Sequence, residues 1–287
     1  MLRSEMTDEL VLYDDDELSE LLNEQIVDRS VVGEWPLSWA QRVTTDTGRR
    51  YAYKAMLPPL IEAEFYASTS NPLLPHHIQT PGFGRCSTLL IEWIDLPSLA
   101  DRHLTDDQAI THAYAVRRQL DTLPTTLPVY LDVGTASKWS DEVGRTLDKL
   151  RHLIADNRFA SISVSMVDRL QHWLVSHEVL SHVDQTSCLV HRDLKPEHVF
   201  PVEGGGYYVI DWQVPVIAPR NVDIVGLLLE SGIDPLPHTT PVDFGIAAFL
   251  RLRWATVAQH DFFPDSRFPV LDGWAASAIL AIQRVAL

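Results

Sequence analysis

The chain has 287 residues, 46% of them apolar and 9% aromatic, enough to bury ordinary cores as one bilobal unit or two small domains. Its 23 basic residues stand against 39 acidic ones, and the formal net charge of −16 argues against nucleic acid or an anionic membrane as the main partner while suiting a cationic one. The first eight residues hold no basic segment followed by an apolar run, and no stretch nears the roughly 18 apolar residues of a membrane span, so the expectation is a cytoplasmic protein in which Cys86 and Cys188 stay reduced.

Residues 1–34 carry 11 acids against only Arg3 and Arg29, a net of −9 and over half of the whole imbalance. The acids around 14–24 read as one solvated helix face, with a substrate-attracting surface as the alternative. Three short strands are expected over 30–34, 38–45 and 49–56, separated by a Trp35-Pro36-Leu37 turn and by Asp46-Thr47-Gly48, a hairpin signal. In the third, Tyr51, Tyr53 and Ala55 alternate with Ala52, Lys54 and Met56, which sets Lys54 among small and apolar neighbours. Pro58 and Pro59 suit a helix start, and 60–68 reads as a short helix carrying Glu62 and Glu64. Two further strands around 84–91 complete a small five-stranded lobe.

Downstream the pattern turns helical, with amphipathic stretches near 106–123, 138–156 and 165–182. Gly204-Gly205-Gly206 between Val199-Phe200-Pro201-Val202 and Tyr207-Tyr208-Val209-Ile210 marks a hairpin with Asp211 at the exit of its second strand. Terminal helices are expected over 241–259 and 268–286.

The most informative stretch is Leu189-Val190-His191-Arg192-Asp193-Leu194-Lys195-Pro196-Glu197-His198-Val199-Phe200, followed eighteen residues after Asp193 by Val209-Ile210-Asp211-Trp212. Two apolar, strand-like pieces each deliver an aspartate. Phosphoryl transfer needs that pair: one carboxylate faces the acceptor hydroxyl and the other serves the metal ions that bridge the nucleotide phosphates. A buried turn held by a satisfied aspartate is the structural alternative. A zinc site from Cys188, His191 and His198 is the other, and its spacing matches no common zinc pattern.

The run from His191 resembles the catalytic loop of eukaryotic-type protein kinases. Asp211-Trp212, in place of an Asp-Phe-Gly triplet, resembles the aminoglycoside phosphotransferase and small-molecule kinase branch of that fold. The resemblance covers about residues 30–230 in the order of elements, and only 189–212 is highly specific. It implies an α+β, bilobal, protein-kinase-like fold. A nucleotide-binding lobe over 1–93, with a five-stranded antiparallel sheet, one helix and an acidic leading segment 1–28, would precede a larger, mostly helical catalytic and acceptor-binding lobe over 94–287.

Carried over by position, the resemblance makes Asp193 the residue that accepts or orients the acceptor hydroxyl proton and Asp211 the metal ligand. Lys54 becomes the lysine on the α- and β-phosphates, and Glu62, in preference to Glu64, its helix partner. Lys195 would reach the transferred phosphoryl group, backbone groups of Glu92, Trp93 and Ile94 would bind the base, and Asp223 would cap the catalytic-loop backbone. An exposed strand lysine and a solvated helix acid remain the alternative for Lys54 and Glu62. Two departures stand out. Val32-Gly33-Glu34-Trp35-Pro36-Leu37-Ser38 has one glycine where kinases have a glycine-rich loop, so the Ser38 hydroxyl would substitute. His198 stands where protein kinases carry a second metal-binding asparagine, and an imidazole is a softer ligand than an amide oxygen.

The implied activity is ATP- or GTP-dependent transfer of a γ-phosphoryl group, with Mg²⁺ or Mn²⁺, to the hydroxyl of a small molecule such as an antibiotic, amino alcohol or sugar-like acceptor. Only eleven residues separate Asp211 from Asp223, with no Ser, Thr or Tyr among them, which argues against a peptide platform. Glu230, Asp234, Trp254, Asp261 and Trp274 are candidates for the acceptor pocket. A nucleotide-binding pseudokinase and a protein kinase are the competing readings.

Overall fold

A computed structural model gives the structure of the protein and describes residues 10–265 and 267–286; the first nine residues of the acidic leading segment lie outside the described residues. In chain order the elements are helix Asp15–Leu22 (α1), strands Ile26–Trp35 (β1), Ser38–Thr45 (β2) and Arg50–Met56 (β3), helix Glu62–Ala67 (α2), and strands His77–Phe83 (β4) and Cys86–Glu92 (β5). Helix Asp106–Leu120 (α3), strand Leu131–Asp132 (β6), and helices Ala136–Ala155 (α4), Val164–Leu174 (α5) and His177–Thr186 (α6) follow. Then come strands Ser187–Val190 (β7), Val199–Pro201 (β8), Tyr207–Val209 (β9) and Val216–Pro219 (β10), and helices Val222–Glu230 (α7), Pro241–Val257 (α8) and Pro269–Ala286 (α9). None of the helices is long and apolar enough to cross a membrane among the described residues.

The chain divides into two compact units that are discontinuous in sequence. The first comprises Met1–His103, Thr126–Tyr130 and Glu197–Val214, and the second Leu104–Thr125, Leu131–Pro196 and Pro215–Leu287. A single cut at residue 93 does not describe this division, because 197–214 returns to the first unit. The Leu99 N–H donates to the Val199 carbonyl at 2.8 Å and the Val209 N–H to the Leu73 carbonyl at 2.9 Å, so the β8–β9 hairpin is bonded into that unit.

The first unit is built on an antiparallel sheet in the order β1-β2-β3-β5-β4. Gly48 closes the β2–β3 turn at φ 84°, a left-handed conformation that side chains resist. Register sets the two faces: Tyr51 pairs with Val43 and Tyr53 with Leu90, while Ala52 and Lys54 alternate to the other side. Against the Tyr51–Tyr53 face packs α1, whose Leu18 is fully buried with Val43, Tyr51, Tyr53 and Leu90. Asp14 caps this helix, accepting from the Glu17 N–H while Glu17 accepts from the Asp14 N–H. The leading acidic segment therefore has an apolar seam as well as a solvated face, and its helix is an integral layer of the sheet. The fourth strand starts at His77, earlier than the 84–91 window predicts; Pro81 and Gly82 interrupt its pattern, which an edge strand tolerates.

The second unit is mostly helical, around a small sheet in the order β6-β10-β7. The stretch 165–182 is two helices, because Ser176 leaves helical geometry and its hydroxyl accepts from the Val179 N–H to start α6. Thr240 and Asp243 form the capping box of α8, with Pro241 in its first turn. At Gly245 a Cβ would lie 2.1 Å from the Trp173 ring of α5, so any side chain there would force that ring to move. A π-helical turn over Ala258–Phe262 follows α8 directly.

Candidate active site

The first unit gathers four of the residues singled out in the sequence. Lys54 on β3 is buried at 8% exposure, and its ammonium lies 2.5 Å from Glu62 Oε2 and 2.6 Å from Asp211 Oδ1. Burial alone would lower the pKa of that ammonium, but the charges of Asp211 and Glu62 outweigh it and hold the pKa above its usual value. Glu62 is fully buried; burial raises the pKa of its carboxyl from its usual value, against the pull of Lys54. Glu64, its rival, is exposed.

Asp211 leaves β9 in a left-handed conformation, φ 71°, which is costly for a residue with a side chain and persists only where neighbours hold it. The following residues supply the hold. The Trp212 N–H donates to Glu62 Oε1 at 3.2 Å, the Trp212 indole N–H donates to the Val209 carbonyl at 3.0 Å, and the Ile61 N–H donates to the Gln213 carbonyl at 3.1 Å. The Trp212 ring stacks on Phe65 of α2, centroids 4.4 Å apart and planes 9° from parallel. Glu62 thus joins the lysine on one strand to the backbone beyond Asp211. Phe65 belongs to the Glu62-x-x-Phe65-Tyr66 spacing, and its position three residues after Glu62 puts both on one side of a short helix.

His198 ends the Pro196–His198 3₁₀ turn, and its carbonyl accepts from the Ile210 N–H at 3.1 Å. Its Nε2 lies 3.6 Å from Asp211 Oδ2, the carboxylate oxygen turned away from Lys54. One hard oxygen and one imidazole nitrogen so placed fit a divalent cation of the Mg²⁺ or Mn²⁺ kind. Ser38 opens β2 on the same face as Lys54, by the pairings of Ser38 with Met56 and Ala40 with Lys54, and is buried. In the 92–94 segment the Glu92 N–H donates to the His76 carbonyl and the Trp93 N–H to the Arg50 carbonyl. The Ile94 N–H carries no such bond among the described residues. Tyr66, the last residue of the Glu62-x-x-Phe65-Tyr66 spacing, is fully buried beneath this cluster with its hydroxyl unpaired; burial, reinforced by Glu62 and Asp211, pushes its phenol well above the usual range.

The second unit holds Asp193 and Lys195. Their side chains pair at 3.1 Å and both remain partly open to solvent. The loop before them leaves β7 and is held from below by Asp223, 1% exposed, on α7: its carboxylate accepts from the His191 N–H at 3.0 Å and the Arg192 N–H at 2.8 Å. Arg117 of α3, itself buried, completes that base with bonds to Asp223 at 2.6 Å and to the Leu189 carbonyl at 3.2 Å. No motif marks Arg117 for this role, since Asp223 and Leu189 lie far from it along the chain. The acids proposed for an acceptor pocket are already engaged: Asp234 with Arg284, Asp261 with Lys149 and His260, and Glu230 with Arg251 at 3.9 Å.

A family model described as the phosphotransferase enzyme family matches residues 67–257. The chain belongs to that family. As a phosphotransferase it has a kinase-like fold, and solved structures match nearly its whole length. Aminoglycoside phosphotransferase APH(4)-Ia, as a thermostable mutant in the apo form, superposes with a TM-score of 0.62 at 14% identity, covering 94% of this chain and 98% of that one. Choline kinase LicA from Streptococcus pneumoniae gives 0.62 at 13% identity, covering 94% and 97%. Spectinomycin phosphotransferase APH(9)-Ia, in complex with ADP and spectinomycin, gives 0.58 at 14% identity, covering 96% and 100%. No curated protein sequence matches the chain at a significant level.

Proposed function

We propose that this phosphotransferase moves the γ-phosphoryl group of ATP or GTP to a hydroxyl of a small molecule, with the first unit binding the nucleotide and the second supplying the catalytic loop and the acceptor site. The observation that carries the reading is Lys54 held between Glu62 and Asp211, a buried ammonium fixed by two carboxylates on the face that also bears Ser38. Such an ammonium can exchange part of its pairing for phosphate oxygens, and the Ile94 N–H can meet the edge of the base. Asp211 and His198 would hold Mg²⁺ or Mn²⁺, which neutralises phosphate charge when bound.

Asp193 orients the acceptor hydroxyl and takes its proton as the new oxygen–phosphorus bond forms and the bond to the β-phosphate bridging oxygen breaks. Lys195, tied to Asp193, offers a cation to the oxygens of the group in flight. A small acceptor is favoured over a peptide because four of the eleven residues between Asp211 and Asp223 form β10, paired to both β6 and β7, which leaves little chain for a peptide platform. The related folds that phosphorylate spectinomycin or choline fit the same class.

Incubating the protein with nucleotide, metal and a library of small alcohols, and searching by mass spectrometry for a gain of one phosphoryl group, tests the reading. Asp193→Asn should lower turnover about 10²-fold or more with nucleotide affinity kept. Full turnover in that variant would remove Asp193 from the chemistry. Nucleotide binding with no transfer to any acceptor would favour the pseudokinase.

A further inference from the structure

Arg192 precedes Asp193 and sits in the left-handed region at φ 73°. A non-glycine residue there is strained and needs surroundings that over-determine it. Its backbone N–H is fixed on Asp223 Oδ1 at 2.8 Å. Its side chain runs to α8, where the guanidinium donates to the Leu250 carbonyl at 3.1 Å and lies 5.1 Å from the centroid of the Trp254 ring. A helical carbonyl keeps a second lone pair after accepting its own i+4 N–H, and Leu250 is buried, so the bond is shielded from water. The indole is braced in turn by Phe262 of the π-helical turn, centroids 6.1 Å apart.

We propose that Arg192 is a positioning residue for Asp193: its side chain ties the catalytic loop to α8 through the Leu250 carbonyl and the face of Trp254. Residue 192 is then anchored from both sides, its amide by α7 and its side chain by α8, and the strained peptide that carries Asp193 cannot relax. The tether is intrinsic to the chain and needs no phosphorylated segment, consistent with the absence of Ser, Thr and Tyr between Asp211 and Asp223. A guanidinium can bond the carbonyl through one N–H while its charge stays over the indole, which the single ammonium of a shorter-reaching lysine does poorly. This assignment rests on the phosphotransferase reading for its consequence in turnover, but its geometry can be tested without an acceptor.

The variants are Arg192→Lys, Arg192→Gly, Trp254→Leu and Trp254→Phe in the full chain. Glycine tolerates the backbone angle without strain, so it separates the loss of the tether from a clash of geometry. Amide hydrogen exchange should rise about tenfold over residues 191–194 in Arg192→Lys, Arg192→Gly and Trp254→Leu, with α8 and the melting temperature unchanged, while Trp254→Phe keeps most of the protection. With an identified acceptor, the same three variants should lose about tenfold in kcat at constant KM for nucleotide. Unchanged exchange in Arg192→Lys and Trp254→Leu would overturn the tether, as would turnover equal to wild type despite faster exchange. A general fall in melting temperature that accounts for both losses would reduce Arg192 to a packing residue. A wild type that transfers to no acceptor, yet shows the exchange pattern, would sink the proposed function and leave the tether standing.

Discussion

Glu62→Gln is the sharpest perturbation of the cluster, because it keeps shape and alters charge. The carboxylate is fully buried and divided between two donors, Lys54 at 2.5 Å and the Trp212 N–H at 3.2 Å. Glutamine can still offer an oxygen to Trp212 but leaves the buried ammonium with Asp211 alone. Removing one partner of a buried pair costs about 3–5 kcal/mol, and since Asp211 remains at 2.6 Å the lower end, about 3 kcal/mol, applies. With an unfolding entropy of about 2.1 cal/mol/K per residue, a chain of 287 residues loses roughly 5 °C of melting temperature for that amount. Thermal unfolding without nucleotide measures it, and Glu64→Gln, an exposed change on the same helix, is the control expected within about 0.5 kcal/mol of wild type. If both variants melt together at the wild-type temperature, Glu62 does not hold Lys54 and the carrying observation of the proposed function fails.

Lys54→Ala should weaken triphosphate binding more than nucleoside binding in calorimetric titrations; equal losses would place the ammonium away from the phosphates. His198→Asn should shift activation from Mn²⁺ towards Mg²⁺ while turnover persists, since an amide oxygen replaces a nitrogen donor; an unchanged metal preference would take His198 out of the ligand set. Tyr53 gives a prediction in pH. Burial pushes its phenol up to about 12, against the Tyr13 N–H that donates to its oxygen and the nearby Arg29. A raised acid pKa means its contribution, about 3 kcal/mol at most, is full below the unfolded value near pH 10 and lost as pH rises through about 12. Wild type should therefore lose melting temperature over that window more steeply than Tyr53→Phe, and parallel curves would refute it.

What the sequence disclosed follows from how local each signal is. The β2–β3 hairpin was legible because Asp46-Thr47-Gly48 interrupts two alternating runs, and that alternation alone separates Lys54 from Tyr53. Glu62 could be preferred to Glu64 because Glu62-x-x-Phe65-Tyr66 resembles a spacing of the small-molecule kinase branch, and the structure buries Glu62 and exposes Glu64. The break at Ser176 was hidden because α5 and α6 keep apolar spacing across it, so only the cap geometry ends the first helix. Nothing in the pattern over 216–219 and 222–230 separates strand β10 from helix α7, because a largely apolar run shows no period to choose between them. Arg117 was beyond reach for a different reason: a charged residue on an amphipathic helix looks solvated until Asp223, 106 residues away, is brought to it.

The acidic leading segment shows how placement decides what a charge can do. Its acids cluster on α1, where Asp14, Asp15, Asp16, Glu17 and Glu20 are exposed, and by count alone they could have drawn a cationic substrate to the site. Leu18 fixes the helix to the Tyr51–Tyr53 face, whereas Lys54 projects from the opposite face towards Glu62 and Asp211. A helix packed on a sheet adds a layer of about 10 Å, which matches or exceeds the screening length of about 8 Å in physiological salt. Asp15 is further satisfied by Arg29 at 2.8 Å, and Glu24 pairs with Arg49. The negative charge of α1 is therefore confined to the far side of the sheet. On the proposed function, in which a polyanionic triphosphate binds beside Lys54, the unit can carry this helix because the sheet stands between them, and the apolar seam at Leu18, not the charge, is what makes the helix part of the fold.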